Sequence, residues 1–226
     1  MADPRVRLDI DLAALGGNVS RIRDRVSPCR LIGVVKANAY GTGVGPVAET
    51  LKNAGVSCFA VADVDEACEL ASAGLPVLIL GALLPGEVEE AVARGFICAV
   101  TGYDEALLLS AAAEKLHRPA VCHLKIDTGM GRFGLVADAA IGEIEKILRL
   151  PGLQVRGASI VISASVSTLL YIYIVSSIRF RWVGDSWLGV PPPRYMVPTG
   201  SADGRIFISL QTASTYLSRS SSPVVE

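Results

Sequence analysis

A lysine stands at the end of an aliphatic run in the segment VVKANAYGTG (34–43). Lys36 follows two valines and precedes small residues, Tyr40 and two glycines. In a parallel α/β protein, ligands and catalytic groups collect at the carboxyl ends of the strands. A lysine that is partly desolvated there has a lowered pKa, and its neutral amine can form a Schiff base with an aldehyde cofactor. The alternative interpretation is a lysine at a strand end that simply reaches solvent.

A second run of aliphatic residues ends in the same way, in the segment HLKIDTGMGRFG (123–134). Lys125 is followed by Asp127, by a pair of glycines and by Arg132. Two lysines at strand ends, an arginine, and glycines that let the backbone approach a ligand predict a pocket for an anionic ligand. The residues leave a second interpretation open, an ordinary charged loop in which Asp127 pairs with Arg132.

The elements that must position these residues follow a regular rhythm from residue 5 to about residue 150. Short aliphatic runs alternate with amphipathic stretches, as is typical of βα units around a parallel sheet. The predicted strands lie at 30–36, 58–62, 76–80, 96–100 and 120–126, and the predicted helices lie near 44–54, 63–73, 85–94, 103–116 and 138–149. Spacings of about 20 to 25 residues per unit suit a TIM-type barrel or a doubly wound sheet, and periodicity does not choose between them.

An amphipathic helix precedes these units. Asp11 is its predicted N-cap, directly after the run VRLDI. Five apolar residues share one face of this helix: Leu12, Leu15, Val19, Ile22 and Val26. The spacing therefore predicts a helix that packs this face against the sheet.

The composition favours small-molecule chemistry. The chain has 226 residues, 51% of them hydrophobic, and a formal net charge of -1, so it can bury a core and offers no basic surface for nucleic acid. The two histidines, without a CxxC or HExxH motif, give no support for a metal site. The charged N-terminus differs from a signal peptide. Five scattered cysteines indicate reduced thiols in a cytoplasmic protein: Cys29, Cys58, Cys68, Cys98 and Cys122.

The two lysine segments resemble the best-known N-terminal motifs of alanine racemases, through VVKANAYGTG and LKIDTGMGRFG. The opening RLDIDLAAL with Asn18, the segment FAVADVDEACELASAG (59–74) and the segment PVLILGALLP (76–85) resemble the same family. The resemblance covers residues 5 to about 157. It implies a (β/α)8 TIM-type barrel, here incomplete with about five to six βα units, followed by an irregular C-terminal tail.

The resemblance also implies a cofactor and a role for each matching residue. Lys36 would carry pyridoxal 5'-phosphate (PLP) and act as a catalytic base, and Tyr40 would bind the cofactor phosphate. Lys125 matches a lysine that is carbamylated in many members. Arg132 matches the arginine that this lysine orients toward the cofactor phenolate oxygen and the substrate. The implied enzyme interconverts L-alanine and D-alanine, which supplies D-alanine for peptidoglycan, and acts as a cytoplasmic homodimer without a metal.

The composition changes sharply after Gly157. All five lysines precede this point, and both tryptophans and a run of three prolines (191–193) follow it. We therefore predict a partial barrel at 1–157 and an unmatched tail at 158–226. The tail offers no match for the later cofactor-binding motifs or for the tyrosine that serves as the second base in the family. The resemblance thus implies a truncated chain with impaired racemisation, or alternatively a PLP-binding barrel protein that does not racemise.

Two hypotheses concern the origin and use of this tail. Codons for residues 158–164 can be chosen so that the shifted frame reads Ile-Tyr-Ser-His-Phe-Ser, the motif type missing from the tail, which favours a frameshifted sequence. Residues 158–178 carry no charge and are long enough for a helix that crosses a bilayer. A domain tethered to a membrane by 158–178 is therefore the alternative, although serines and β-branched residues weaken such a span.

Overall fold

A curled parallel β-sheet forms the centre of the protein. The computed structural model describes residues 8–127, 131–136, 139–161, 178–180 and 205–208. The strands in chain order are β1 (Leu8–Ile10), β2 (Arg30–Val34), β3 (Cys58–Val61), β4 (Val77–Ile79), β5 (Ile97–Val100), β6 (Ala120–Asp127), β7 (Leu135–Val136), β8 (Leu153–Val161), β9 (Ile178–Phe180) and β10 (Arg205–Ile208). All five strands predicted from the aliphatic runs are thereby confirmed, as β2 to β6.

Helices follow most of these strands. They are α1 (Leu12–Val26), α2 (Lys36–Gly41), α3 (Val44–Asn53), α4 (Val64–Glu69), α5 (Val88–Arg94), α6 (Tyr103–Lys115) and α7 (Ala140–Ile147). The five predicted helices correspond to α3 to α7. Helix α4 ends before the predicted residue 73 because the next residues bond three positions back, as when the Leu70 amide donates to the Ala67 carbonyl at 3.2 Å.

Helix α1 begins and packs as its sequence predicts. The Asp11 carboxylate accepts a hydrogen bond from the Ala14 amide at 2.8 Å, which satisfies one of the unpaired donors of the first turn. Leu12 is partly buried, and the four other apolar residues of the predicted face are buried: Leu15, Val19, Ile22 and Val26. The apolar face thus anchors α1 to the sheet.

The strand order distinguishes the two architectures that periodicity left open. Strands β2 to β6 are neighbours in chain order, and each is parallel to the next. Strand β8 lies parallel to β6, and β10 lies parallel to β2. A doubly wound sheet reverses its strand order at a switch point, and the order from β2 to β6 does not reverse. The sheet is therefore an incomplete TIM-type barrel.

Side chains alternate between the two faces of this sheet, so the strands contribute to two apolar clusters. One cluster lies between the strands and the helices and includes Phe59, Leu31 and Ile79. The other consists of strand residues on the concave face: Ile32, Val34, Cys58, Ala60, Leu78 and Ile97. Strands β3, β4 and β5 are buried at every position, as expected for parallel strands inside a barrel.

Gly95 at the end of α5 supports a prediction on stability. Its φ of +73° is left-handed, and a Cβ there would lie 2.8 Å from Nη2 of Arg118, whose side chain also donates to the Ala93 carbonyl. Gly95→Ala is expected to lower the free energy of unfolding by about 1–2 kcal/mol. Gly17→Ala, in the middle of α1 with open space around it, is expected to raise that free energy by roughly 0.5–1 kcal/mol. Urea unfolding measures the free energy of unfolding of both variants, which we expect to change in opposite directions. Equal changes in the two variants would contradict this interpretation.

The predicted boundary after Gly157 falls inside β8, which runs to Val161. A partial barrel at 1–157 with a separate tail stays a prediction, as does the frameshift. The predicted membrane segment 158–178 begins within β8, and its residues 162–177 lie outside the described part of the chain. Among the residues that the structure describes, no helix has the length and apolarity needed to cross a bilayer.

Candidate active site

The segment α2, which begins at Lys36 two residues after the end of β2, is a short left-handed turn and not an ordinary helix. The four residues that follow Lys36 have φ angles of 52°, 52°, 51° and 58° (Ala37, Asn38, Ala39 and Tyr40). Residues other than glycine rarely adopt this conformation, which costs roughly 1–2 kcal/mol per residue. Such strain persists only where neighbouring groups hold it, and it is commonly found at functional sites. The turn therefore indicates a functional site at the carboxyl end of β2.

Hydrogen bonds hold this left-handed turn at both ends. The Ala39 amide donates to the Val35 carbonyl at 2.8 Å, and the Asn38 side chain accepts from the Val44 amide at 2.7 Å, which joins the turn to α3. The Ala37 amide donates to Oε1 of Glu66 at 2.6 Å. Lys36 is thus carried on a backbone that is fixed on either side.

The surroundings of Lys36 favour its neutral amine. Burial lowers the pKa of Lys36 from its ordinary value, the charge of Arg132 lowers it further, and the charge of Glu66 opposes both. The lysine nitrogen lies 6.0 Å from the centre of the Tyr40 ring. The sequence-based expectation of a partly desolvated lysine at this strand end is consistent with this environment.

Lys125 lies in a similar environment at the end of β6. Its Nζ donates to the Leu80 carbonyl at 3.3 Å and lies 5.7 Å from the centre of the Phe133 ring. Burial is the largest cause of its lowered pKa, followed by the charges of Arg132 and Lys36. The charge of Lys36 therefore acts on Lys125, and the charge of Arg132 acts on both lysines.

The loop after β6 is organised by Asp127. Its carboxylate accepts hydrogen bonds from the backbone amides of Gly131, at 3.2 Å, and Arg132, at 2.9 Å. Gly134 has a φ of +145°, and a Cβ there would lie 2.7 Å from the Asp127 amide nitrogen. Asp127 thus contacts the backbone of Arg132, and Gly134 permits the close return of the chain that this loop needs.

Electrostatic effects connect the two predicted segments, because the charge of Arg132 acts on both Lys36 and Lys125. Lys36, Lys125 and Arg132 share an electrostatic environment at the carboxyl ends of β2 and β6, with Tyr40 beside Lys36. A site with three cationic side chains and a nucleophilic amine can bind an anion and attack a carbonyl carbon. The pocket for an anionic ligand stays a prediction, and Asp127 also contacts the backbone of Arg132 as in the alternative charged loop.

The titration of these lysines supports a prediction. Because Arg132 lowers the pKa of both lysines, Arg132→Ala is expected to raise the pKa of Lys36 and of Lys125 toward the ordinary value. Acylation with acetic anhydride as a function of pH, followed by peptide mapping, measures the titration midpoint of each lysine. Arg94→Ala, on the surface of α5, is the control and is expected to leave both midpoints in place. A downward shift in the Arg132 variant would contradict the interpretation.

Sequence reasoning missed Glu66 as a residue of this site. With Asp63 as the N-cap of α4, Glu66 occupies the third helical position, where a capping box is the usual expectation. Its carboxylate instead accepts from the Ala62 amide at 2.8 Å and from the Ala37 amide beside Lys36. The sequence DVDE signals a helix start, and nothing in it indicates the contact with the earlier loop that follows β2.

The fold defines a class of protein, α/β barrels, in which ligands and catalytic groups collect at the carboxyl ends of the strands. The family model for the N-terminal domain of alanine racemase matches residues 10–164. The chain belongs to the alanine racemase family. An alanine racemase from Methylacidiphilum infernorum is 41% identical over 157 residues, which are 68% of this chain and 41% of that protein.

Solved structures give the same relationship. An alanine racemase from E. faecalis is 31% identical, with a TM-score of 0.64 over 71% of this chain and 45% of that chain. An alanine racemase from Bacillus anthracis with bound L-Ala-P is 27% identical, with a TM-score of 0.64 over 74% of this chain and 44% of that chain. The chain thus spans less than half the length of these relatives.

Proposed function

We propose that the chain binds PLP at Lys36 and serves the interconversion of L-alanine and D-alanine. The observation that carries this proposal is the position of Lys36 after β2 and of Lys125 near the end of β6, where the charge of Arg132 acts on both, on positions that match the motifs of alanine racemases. Family membership supports the cofactor because alanine racemases depend on PLP. The L-Ala-P bound to the Bacillus anthracis relative supports an amino-acid substrate.

The residues present fit the cofactor. PLP is an aldehyde with a phosphate group and a phenolate oxygen, so it needs a neutral amine and several cationic or polar donors. Burial and the charge of Arg132 favour the neutral amine at Lys36. The positive charges of Arg132 and Lys125 favour an anionic ligand at this site. When bound, PLP withdraws electrons from the amino acid and so acidifies its Cα–H.

Each residue then has a defined part in the proposed reaction. Lys36 would bind the cofactor and would move a proton to or from Cα on one face of the substrate. Tyr40 would help to hold the cofactor phosphate. Arg132 would hold the phenolate oxygen and the substrate carboxylate, and Lys125 would orient Arg132. The lowered pKa of Lys125 favours the neutral amine that carbamylation requires.

Formation of D-alanine tests this proposal. The purified chain is incubated with PLP and L-alanine, the products are separated by chiral chromatography, and PLP is fixed to protein by borohydride. Lys36 labelling together with D-alanine supports the racemase. Labelling without D-alanine supports the PLP-binding barrel protein that does not racemise, or the truncated and inactive form. Absence of labelling at Lys36 would overturn the whole proposal.

We further propose a homodimer and a cytoplasmic location. The homodimer follows from the resemblance to alanine racemases, and sedimentation of the purified chain with and without PLP tests it. The cytoplasm is supported by the five cysteines, none of which forms a disulfide in the part of the chain that the structure describes. Sequencing the gene across codon 157 tests the frameshift, because an intact frame without racemase coding in either alternative frame would exclude it.

A further inference from the structure

Glu66 links the two loops that follow β2 and β3. Its Oε2 accepts from the Ala62 amide at 2.8 Å, just after β3, and its Oε1 accepts from the Ala37 amide at 2.6 Å, just after Lys36. The side chain is partly buried, and its own amide is held by Asp63 at 3.0 Å. One carboxylate thus ties the start of the left-handed turn to the start of α4.

The same device occurs two units further along the sheet. Glu105 in the first turn of α6 accepts from the Thr101 amide at 2.7 Å, just after β5, and from the Leu83 amide at 3.1 Å, in the loop after β4. Glu66 and Glu105 therefore occupy equivalent places, each linking neighbouring loops at the carboxyl ends of the strands. Glu105 therefore offers a matched control, because Glu66 contacts the loop that carries Lys36 and Glu105 contacts the loop after β4.

We propose that Glu66 is a positioning residue for Lys36, which fixes the left-handed turn through the Ala37 amide and sets the position and charge state of the lysine amine. The inference rests on the proposed function, since it concerns the lysine that would carry PLP. Four consecutive left-handed residues need contacts from outside the turn to persist. At the first of them, Ala37, this contact is the hydrogen bond that its amide donates to Glu66.

The charged groups that act on Lys36 make the proposal testable by titration. Arg132 lowers its pKa and Glu66 raises it, while burial is the largest cause of the net lowering. Loss of the Glu66 charge is therefore expected to lower the pKa of Lys36 further. Loss of local structure would have the opposite sign, because exposure to water removes the burial that lowers the pKa.

The experiment compares Glu66→Gln with Glu105→Gln in the full chain. Glutamine keeps the size of the side chain, removes its charge, and places an amide donor against one of the backbone donors. Acetic anhydride labelling without PLP, across pH and with peptide mapping, gives the midpoint of Lys36. PLP with borohydride at subsaturating concentration gives the label yield at Lys36, and urea unfolding measures the stability of both variants.

For Glu66→Gln we expect the midpoint of Lys36 at lower pH than in the wild type, because the charge of Glu66 is lost. We expect a label yield reduced about threefold to tenfold, because the turn no longer holds the amine in position. For Glu105→Gln we expect an unchanged midpoint of Lys36 and a lower midpoint of Lys125, whose pKa Glu105 raises. An unchanged midpoint together with an unchanged label yield of Lys36 in Glu66→Gln, or equal effects of both variants on Lys36, would overturn the inference. Because acylation needs no PLP, a wild type that takes no PLP label would refute the proposed function separately.

Discussion

Lys36→Ala is expected to remove the PLP label from the protein and to reduce any racemase activity by at least about 10²–10⁴-fold. The amine of Lys36 is the proposed nucleophile toward the cofactor aldehyde, and alanine has no group to replace it. The methyl side chain also fits a position that is only partly buried, so the left-handed turn is expected to remain. Borohydride reduction followed by peptide mapping, together with chiral analysis of alanine, measures both effects.

Two other lysines provide the controls for this experiment. Lys115→Ala removes a lysine that pairs with Glu89 on the surface, and it is expected to leave both the label and the activity unchanged. Labelling at Lys125 is the more stringent comparison, because this lysine belongs to the same proposed site and also has a lowered pKa. A label that moves in full to Lys125, or that persists in Lys36→Ala at the level of the wild type, would refute the assignment of Lys36.

Phe59→Ala is expected to destabilise the protein by about 3–5 kcal/mol, the usual cost of removing a buried phenylalanine. Phe59 lies on β3, has no exposed surface, and belongs to the cluster between the strands and the helices. A typical domain has only about 5–15 kcal/mol of stability, so this loss is a large part of the total. Urea unfolding followed by circular dichroism measures it.

Leu107→Ala is the matched control for this prediction. Leu107 lies on α6 with 47% of its surface exposed, and its truncation is expected to change the stability by no more than about 0.5 kcal/mol. A cost below about 1 kcal/mol for Phe59→Ala would mean that the incomplete barrel does not unfold as a cooperative unit around this cluster.

The elements of the barrel could be predicted from the sequence because burial on both faces leaves a strong signal. Strands β2 to β6 appear as continuous aliphatic runs, and the spacing of Leu15, Val19 and Ile22 defines the buried face of α1. The choice of a barrel over a doubly wound sheet depended on strand order. Periodicity along one chain does not carry that order, and the resemblance to alanine racemases supplied it.

The candidate site was only partly predictable for a different reason. Lys36, Lys125 and Arg132 were found because their residue types at strand ends suggest chemistry. The left-handed conformation of Ala37 to Tyr40 could not be predicted, since asparagine is the only one of these residue types that often adopts it. The role of Glu66 depends on a contact between two loops, which local patterns do not encode.

Mapping the borohydride-stable PLP label on the whole chain tests the proposed site most directly. The visible spectrum of the purified chain is recorded with PLP, the adduct is reduced, and the labelled peptides are sequenced. We predict an absorbance band of protein-bound PLP and a label confined to Lys36. An absent band, or a label spread over surface lysines such as Lys52, Lys115 and Lys146, would contradict the assignment of a cofactor site at the carboxyl ends of β2 and β6.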